Sequence, residues 1–294
     1  MQLLTSSPWA DYELIDAGGF EKLERFGKYT LWRPEPQAVW RKKLPEDEWE
    51  RMHHARFFRD KEEKAADKGR WILKSGMPEQ WYITYEYKKI SFRLRLGLTA
   101  FKHIGVFPEQ NSNWDYIYDS VTSLETSRCK VLNLFAYTGG ASLVANAAGA
   151  EVVHVDSVKP VITWARENME ASSLDGIRWV VEDALKFVRR EMKRGSAYDG
   201  IILDPPAYGR GPQGEKWVLE ENIAEMMSLC CQLLKLQESF LVLNLYSMGF
   251  SAVVANNLVM DYFGTQPQLE FGELTVSSRE GRMLPLGVFT RFRR

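Results

Sequence analysis

From about residue 128 onward, the sequence alternates apolar runs typical of buried strands with runs typical of helices. The strand-like runs are KVLNLFA, EVVHVD, IRWVVED, YDGIILDPP and ESFLVLNLYS, and helix-like segments separate them. This alternation indicates βαβ units, and therefore a mostly parallel sheet with right-handed crossovers. Near the end, strand-like residues flank SSREGR, which predicts an antiparallel pair at the C-terminal edge of the sheet. The predicted fold class is α/β.

The first 100 residues do not follow this pattern. The run WYITYEYKKISFRLRL predicts one or two strands, and a charged middle segment of both signs predicts loop or short helix. We therefore predict a small β-rich domain over residues 1–100 and an α/β domain over residues 101–294. Basic stretches alternate here with Trp40, Trp49, Trp71 and Trp81. The basic stretches indicate either an RNA-binding face or a solvated surface of mixed charge. The aromatic residues belong either to the core or to a surface that stacks on a ligand.

Charge and cysteine content argue against several classes of protein. The net charge is −1, so a globally basic nucleic-acid-binding protein is not indicated. Three cysteines fit a reducing compartment better than a disulfide framework. The opening residues do not resemble a signal peptide, and no run approaches the roughly 20 apolar residues that a membrane crossing needs. His53 and His54 have no further ligands at metal-binding spacing. We expect a cytoplasmic protein without membrane or metal partners, and its oligomeric state stays open.

Glycine and acidic residues follow three successive predicted strands. In VLNLFAYTGGASL, Gly139 and Gly140 lack a Cβ, so a ligand can approach the backbone, although any tight turn of this kind favours glycine. The spacing differs from GxGxxG, which argues against a dinucleotide. Asp156 ends the next strand and suits ribose hydroxyls, and Asp183 ends the third, where it suits either an adenine amine or a helix N-cap. Together they predict a nucleoside site at the carboxyl edge of the sheet.

The motifs LNLFAYTGGASL, VDSVKPVITWARENM and ILDPPAYGRG resemble those of class I S-adenosylmethionine (SAM) methyltransferases. They are most similar to the bacterial 23S ribosomal RNA methyltransferases of the cytosine-C5 type. FKHIGVFPEQNSNWDYI also resembles that family's segment before the SAM domain, usually G-x-F-x-D-Q-R-x-N-R, with Glu109 where the family has Asp. The resemblance implies a Rossmann-like sheet over about residues 101–294. It further implies SAM as cofactor and S-adenosylhomocysteine (SAH) as product.

The resemblance also implies which residues bind the cofactor. Phe107 and Gln110 border the pocket, Asp156 takes the ribose, and Asp183 with Ala184 takes the adenine. The full implied set is Phe107, Gln110, Phe135, Ala136, Tyr137, Thr138, Gly139, Asp156, Ser157, Asp183, Ala184 and Asp204. In this set the residues from the glycine turn surround the methionine part of SAM.

The DPP turn ends the fourth strand of the α/β domain, which the resemblance places beside the SAM methyl group. Prolines have no N–H, so the turn presents carbonyls without competing donors to a flat target. Amino-directed methyltransferases have the related motif N/D-P-P-Y/F/W, whereas here Ala207 takes the aromatic position and Tyr208 follows it. The predicted catalytic residues are Asp204, Pro205, Pro206 and Tyr208.

The stretch AYGRGPQGEKW continues from this turn as a polar, glycine-rich loop. One hypothesis is that it closes over an RNA substrate, with Tyr208, Arg210 and Lys216 as substrate-binding residues. The alternative is an ordinary surface loop.

A cysteine nucleophile is missing where the resemblance would place it. Methylation of a pyrimidine at carbon 5 needs a covalent adduct, which a cysteine thiolate supplies. After the fifth strand the sequence reads LVLNLYSMGFS, with Tyr246, Ser247 and Met248 and no cysteine. The target is therefore a nitrogen or oxygen, for which positioning suffices, or another target altogether. Asp204 is the candidate acceptor for an N–H of the nucleophile.

The sequence therefore predicts a SAM-dependent methyltransferase whose substrate is a base of ribosomal RNA, presented by the N-terminal domain. Two alternatives stay open. One is methylation of a protein or small molecule, and the other is a catalytically silent module that binds SAM or RNA.

Overall fold

The computed structural model describes residues 1–60, 68–246 and 249–294. The N-terminal part is rich in strands, and α1 is its one helix within the described residues. Its elements are β1 (Gln2–Thr5), β2 (Tyr12–Gly18), β3 (Glu21–Phe26), β4 (Tyr29–Pro34), α1 (Glu46–Met52), β5 (Ala55–Arg59), β6 (Gly69–Leu73), β7 (Gln80–Tyr87) and β8 (Ile90–Gly97). Strands β2 to β6 form a five-stranded sheet in chain order, and β7 and β8 form a separate antiparallel pair.

The rest of the chain alternates strands and helices. A 3₁₀ helix (Pro108–Gln110) precedes α2 (Asn111–Ser123), β9 (Lys130–Leu134), α3 (Gly140–Ala147), β10 (Glu151–Asp156), α4 (Lys159–Ala171), β11 (Arg178–Val181), α5 (Ala184–Lys193) and β12 (Gly200–Leu203). Then follow β13 (Tyr208–Arg210), β14 (Lys216–Val218), α6 (Leu219–Leu233), β15 (Phe240–Tyr246), α7 (Ala252–Phe263), β16 (Glu270–Ser277) and β17 (Met283–Arg293).

Eight strands form the large sheet, in the order β1-β16-β17-β15-β12-β9-β10-β11. Strands β9 to β12 and β15 run parallel, while β17 pairs antiparallel with both β15 and β16. The short central strand β12 is buried along its whole length, because helices or the N-terminal strands cover both sheet faces. The predicted mostly parallel α/β sheet with antiparallel C-terminal strands and a β-rich N-terminal region is confirmed.

One prediction about the sheet edge is wrong. The antiparallel pair does not end the sheet, because β1 pairs in parallel with β16, from Gln2 opposite Gly272 to Thr5 opposite Thr275. A Cβ at Gly272 would lie 1.8 Å from the Gln2 carbonyl oxygen, so only glycine permits this close approach. The first strand of the chain therefore belongs to the large sheet, although the domain boundary near residue 100 stays a prediction.

The N-terminal aromatic residues belong mainly to the core. Trp49 is completely buried and Trp81 nearly so, and Trp40 and Trp71 are half-buried. Trp9, Tyr85 and Phe92 pack edge to face around Trp114 of α2. This aromatic cluster joins the N-terminal strands to one face of the large sheet, whereas α5, α6 and α7 cover the other face. A stacking face built from Trp49 and Trp81 is thereby ruled out.

Over the part of the chain that the structure describes, no helix has the length and apolar character that crossing a membrane requires.

Candidate cofactor and active site

A cleft opens at the carboxyl ends of β9, β12 and β15. It is lined by the turn before α2, by α2 itself, by the glycine turn after β9 and by the ends of β12 and β15, together with Leu94 of β8. From the predicted set, the cleft brings together Phe107, Gln110, Phe135, Ala136, Tyr137, Thr138, Gly139 and Asp204. Parallel strands place their carboxyl ends on one edge of the sheet, which explains why distant segments meet here.

The glycine turn holds an unusual backbone conformation. Phe135 and Tyr137 have φ values of 57° and 50°, and Gly139 has a φ of 91°. A Cβ at Gly140 would lie 2.5 Å from the indole of Trp114, so the turn rests directly on that ring. Thr138 Oγ1 donates a 2.6 Å hydrogen bond to the Gly105 carbonyl. Left-handed non-glycine residues in a braced turn are typical of ligand-binding sites.

Asp156 stabilises this turn from the end of β10. Its Oδ2 accepts from the Tyr137 N–H and its Oδ1 from the Val158 N–H, both at 2.9 Å. Burial raises the pKa of the Asp156 carboxyl, and these backbone donors lower it in part. Neither Asp156 nor Ser157 lines the cleft.

Asp183 and Ala184 begin α5 and also lie outside the cleft lining. Asp183 Oδ1 accepts from the Lys186 N–H at 2.9 Å, which is the N-cap role that the sequence left open. Their contacts with adenine, like the Asp156 contact with ribose, remain predictions.

Asp204 lies in the cleft beside Asn244 of β15. Asn244 Nδ2 donates to Asp204 Oδ1 at 2.7 Å. Burial raises the pKa of Asp204 to about 6, and this hydrogen bond opposes the rise. Asn244 Oδ1 is buried without a hydrogen-bond partner among the described residues. Sequence reasoning missed Asn244, whose signal was a lone amide in the apolar strand FLVLNLY.

The DPP turn has a partner that sequence reasoning also missed. Trp217 Nε1 donates to the Pro206 carbonyl at 2.7 Å, so the expectation that no N–H competes for the proline carbonyls is wrong at this position. The Trp217 ring also packs on Phe135, with ring centroids 4.7 Å apart. Pro205 is buried and Pro206 is exposed. Trp217 therefore ties the DPP turn to the glycine turn.

The predicted loop after the turn is a β-hairpin of β13 and β14. Tyr208, at its start, is 52% exposed. Arg210 and Lys216 are exposed and directly opposite each other in the antiparallel register. Like charges at opposed positions repel, and Glu221, 3.9 Å from Lys216 Nζ, offsets this repulsion only at the surface, so an anion bound between the two cations would stabilise the hairpin.

The three cysteines lie away from the cleft. Cys129 and Cys230 are buried and Cys231 is half-buried. Burial raises the pKa of Cys129 to about 12 and also raises that of Cys230 and Cys231. These thiols are therefore protonated at neutral pH and do not line the cleft. The positions Ser247 and Met248, considered above, lie outside the described residues.

Comparison with known proteins identifies the class. A family model described as S-adenosylmethionine-dependent methyltransferase matches residues 48–253, so the chain belongs to this family. The crystal structure of the SAM-dependent methyltransferase from Agrobacterium tumefaciens has a TM-score of 0.92 and 39% sequence identity to it, covering 100% of this chain and 93% of that chain. The predicted class of enzyme and its cofactor, SAM, are confirmed.

Curated relatives match over shorter stretches. "Ribosomal RNA large subunit methyltransferase K/L" of Shewanella frigidimarina is 30% identical over 156 residues, which are 52% of this chain and 20% of that protein. "Ribosomal RNA large subunit methyltransferase I" of Aeromonas salmonicida is 40% identical over 86 residues, which are 28% of this chain and 22% of that protein. The matches span about a fifth of the length of these curated relatives.

The chemistry of the cleft fits SAM. The sulfonium and the methionine ammonium are cationic, and the cleft offers the Asp204 carboxyl beside the unpaired Asn244 Oδ1. Gly140 leaves room on the Trp114 ring where any side chain would collide. A group of three or more metal-ligating side chains does not occur within residues 1–60, 68–246 and 249–294.

Proposed function

We propose that this protein transfers the methyl group of SAM to a nitrogen of an RNA base, with ribosomal RNA as the substrate. The observation that supports this most is the Asp204 carboxyl, held by Asn244 in a cleft without a cysteine. The names of the curated relatives, which are large-subunit ribosomal RNA methyltransferases, favour the same substrate.

The cofactor is held by the residues that the sequence resemblance indicated. Phe107 and Gln110 border the pocket, and the glycine turn, from Phe135 to Gly139, surrounds the methionine part; the location of these residues in the cleft lining supports these roles. Asp156 and Ser157 serve the ribose, and Asp183 and Ala184 serve the adenine. A carboxylate that accepts one N–H on each oxygen retains lone pairs for hydroxyl groups, so the backbone bonds of Asp156 are compatible with this role.

Asp204 acts as hydrogen-bond acceptor for the target nitrogen. With a pKa of about 6, its carboxyl is mostly ionised at neutral pH and accepts from an N–H. SAM supplies an electrophilic methyl group. The Asp204 carboxylate and the backbone of Pro205 orient the lone pair of the nitrogen toward it, and the rate gain comes mainly from proximity and orientation.

The hairpin and the N-terminal domain hold the RNA. Arg210 and Lys216 contact phosphates, and the exposed Tyr208 ring stacks on a base. Residues 1–100 present the substrate to the catalytic domain of residues 101–294. A base within a duplex must be extruded to reach Asp204. The enzyme acts in the cytoplasm, where ribosomal RNA is modified.

Transfer of radiolabel from SAM to unmodified ribosomal RNA and ribosomal subunits tests this function. Nucleoside digestion and mass spectrometry then identify the labelled base. Label on a base nitrogen that falls at least about 100-fold in Asp204→Ala supports the proposal, because removal of a positioned acceptor costs that much. Labelled 5-methylcytosine would contradict the nitrogen target, and label on protein alone would contradict the RNA substrate.

A further inference from the structure

A groove of about 540 Å³ opens on the surface of the five-stranded N-terminal sheet. Its lining comes from β3, β4 and β5 and consists of Glu21, Pro34, Arg56, Phe57, Phe58 and Arg59. The volume lies within the range of about 300–1,000 Å³ that is usual for ligand sites. The groove is therefore large enough for a nucleotide, and none of its lining residues belongs to the cofactor cleft.

Phe58 is an exposed aromatic residue in this groove. It is 37% exposed, whereas Phe57, its neighbour in β5, is buried. The Arg56 guanidinium carbon lies 3.4 Å from the ring centroid of the buried Trp32 and 5.0 Å from that of Phe58. Arg56 thus supports the Phe58 ring from the side of the core. An exposed ring that is held in this way offers a surface on which a nucleic-acid base can stack.

Two exposed arginines flank Phe58. Arg59 follows it in β5, and Arg70 lies directly opposite it in the antiparallel register of β5 and β6. Side chains at directly opposite positions of an antiparallel pair are neighbours on the same face of the sheet. Within residues 1–60, 68–246 and 249–294, neither arginine forms an ion pair. Both guanidinium groups are therefore available to an anionic ligand.

The acidic side chains near the groove are already paired. Glu21 Oε1 accepts from Arg56 Nη2 at 3.3 Å, and Glu21 Oε2 accepts from Lys42 Nζ at 2.7 Å. Arg56 Nη1 donates to Glu50 Oε1 at 3.1 Å. Lys42 and Arg56 thus balance these two acids, whereas the two arginines beside Phe58 add positive charge. A phosphate complements this charge, and guanidinium groups are frequent phosphate ligands.

The lining of the groove is continuous with that of the cofactor cleft. Pro34 lines both the groove and a small recess beside the cleft. This recess shares Val106 and Phe107 with the cleft, and Tyr246 of β15 also lines it. A chain that occupies the groove can therefore continue over Pro34 toward Asp204.

We propose that this groove binds a nucleotide of single-stranded RNA that flanks the target of methylation. The base stacks on Phe58, and Arg59 and Arg70 contact phosphates on either side of it. Bases of a duplex stack on one another and are not free to stack on a side chain, so the groove selects unpaired RNA. This assignment rests on the proposed RNA substrate and adds to it a docking site outside the catalytic site.

Fluorescence anisotropy with a short, labelled, single-stranded RNA of mixed sequence tests the groove without methyl transfer. The full chain is saturated with SAH throughout. Phe58→Leu keeps an apolar side chain but removes the stacking face, so affinity for the RNA should fall at least about fivefold. Tyr82→Leu is the control, since Tyr82 is 40% exposed and lies outside the groove lining. It should change the affinity less than about twofold.

The double variant Arg59→Gln/Arg70→Gln tests the phosphate contacts. The slope of log K against log salt should decrease in magnitude by about 1.4, because each phosphate contact of a single strand contributes about 0.7. Lys89→Gln/Lys193→Gln removes the same charge from exposed positions outside the groove and should change the slope much less.

Methyl transfer and cofactor binding separate docking from catalysis. In Phe58→Leu and in Arg59→Gln/Arg70→Gln, KM for ribosomal RNA should rise while kcat stays within about twofold, because these side chains do not touch the reacting atoms. SAH affinity, measured by calorimetry, should also stay within about twofold, because the groove lies outside the cleft.

Equal losses of affinity in Phe58→Leu and Tyr82→Leu, or an unchanged salt slope in Arg59→Gln/Arg70→Gln, would overturn the assignment. So would tighter binding of a duplex of the same sequence, equally tight binding of polyphosphate, or the absence of RNA binding by the wild type. Label on ribosomal RNA together with unchanged binding in these variants would keep the proposed function and overturn the groove. Loss of RNA binding in these variants alone, with no label on ribosomal RNA, would keep the groove and overturn the proposed methyl acceptor.

Discussion

Asn244 Nδ2 donates to Asp204 Oδ1 at 2.7 Å, which joins the carboxyl ends of the neighbouring strands β12 and β15. This hydrogen bond favours the ionised carboxylate, whereas burial disfavours it and raises the pKa of Asp204 to about 6. Asn244 therefore acts as a positioning residue that also controls the charge of Asp204 near neutral pH.

Asn244→Ala should shift the pH dependence of methyl transfer upward. Loss of the donor raises the Asp204 pKa above its present value, so a larger fraction of Asp204 is protonated at pH 7 and unable to accept an N–H. The acid limb of the kcat/KM profile, which follows the ionisation of Asp204, should therefore move to higher pH, and kcat at pH 7 should fall about tenfold or more.

The exposed Asn257→Ala in α7 is the matched control for this profile. It should leave the acid limb unchanged. A lower kcat in Asn244→Ala with an unshifted profile would mean that Asn244 affects structure alone and not the charge of Asp204.

Trp217→Phe should show whether Trp217 aligns the DPP turn for catalysis or only stabilises the protein. The variant keeps a ring against Phe135 and removes the donor to the Pro206 carbonyl. The free energy of unfolding should fall by about 1–3 kcal/mol through the lost hydrogen bond. We expect kcat to fall at least about tenfold with KM for SAM nearly unchanged, because Asp204 precedes the displaced turn.

Trp71→Phe provides the comparison, since the Trp71 indole also donates to a backbone carbonyl, that of Phe101, at 3.0 Å. It should destabilise the protein to a similar extent without a matching loss of kcat. Equal losses of kcat in both variants would show that stability, and not alignment of the turn, governs the effect.

The parallel sheet and the position of its site follow from local features of the sequence. Each strand of β9 to β12 and β15 is a short apolar run bounded by a turn. This alternation can be recognised from the sequence alone, without knowledge of tertiary contacts. The glycine turn and Asp204 each follow one of these strands, so topology alone brings them to one edge. These features made both the fold and the cleft predictable.

Other contacts depend on packing between distant segments. Thr5 and Thr275 pair across 270 positions of the chain, and a four-residue strand has no pattern that identifies such a partner. Trp49 lies in a segment of mixed charge that suggests exposure, yet its indole is buried and donates to Asp16. The bond from Trp217 to Pro206 likewise depends on the hairpin register, which the glycine-rich sequence does not specify.

The double variant Arg210→Gln/Lys216→Gln should weaken RNA binding through charge alone. If each side chain neutralises one phosphate, the slope of log K against log salt should decrease in magnitude by about 1.4 to 1.8 in total. Affinity for SAH should stay the same, and stability should stay the same or rise slightly, because the two cations oppose each other across the hairpin. Fluorescence anisotropy with an RNA fragment at several salt concentrations measures the slope.

Lys89→Gln/Lys193→Gln removes the same charge from exposed positions outside the hairpin. It serves as the control and should change the slope much less. An equal change in both double variants would indicate binding to the overall charge of the protein and not to the hairpin.

Glu109→Gln should change how stability depends on pH. Burial raises the pKa of Glu109 to about 7 in the folded protein, from an ordinary value of 4.5. The folded state therefore binds more protons than the unfolded state between these two values, and the free energy of unfolding falls as pH rises through this range. Gln cannot ionise, so the variant should lose this part of the decline and be more stable than the wild type at pH 8, by about 1–3 kcal/mol.

Urea unfolding at pH 5 and pH 8 measures the difference, with Glu86→Gln as control. Equal declines in wild type and Glu109→Gln would show that the ionisation of Glu109 does not cause this part of the pH dependence.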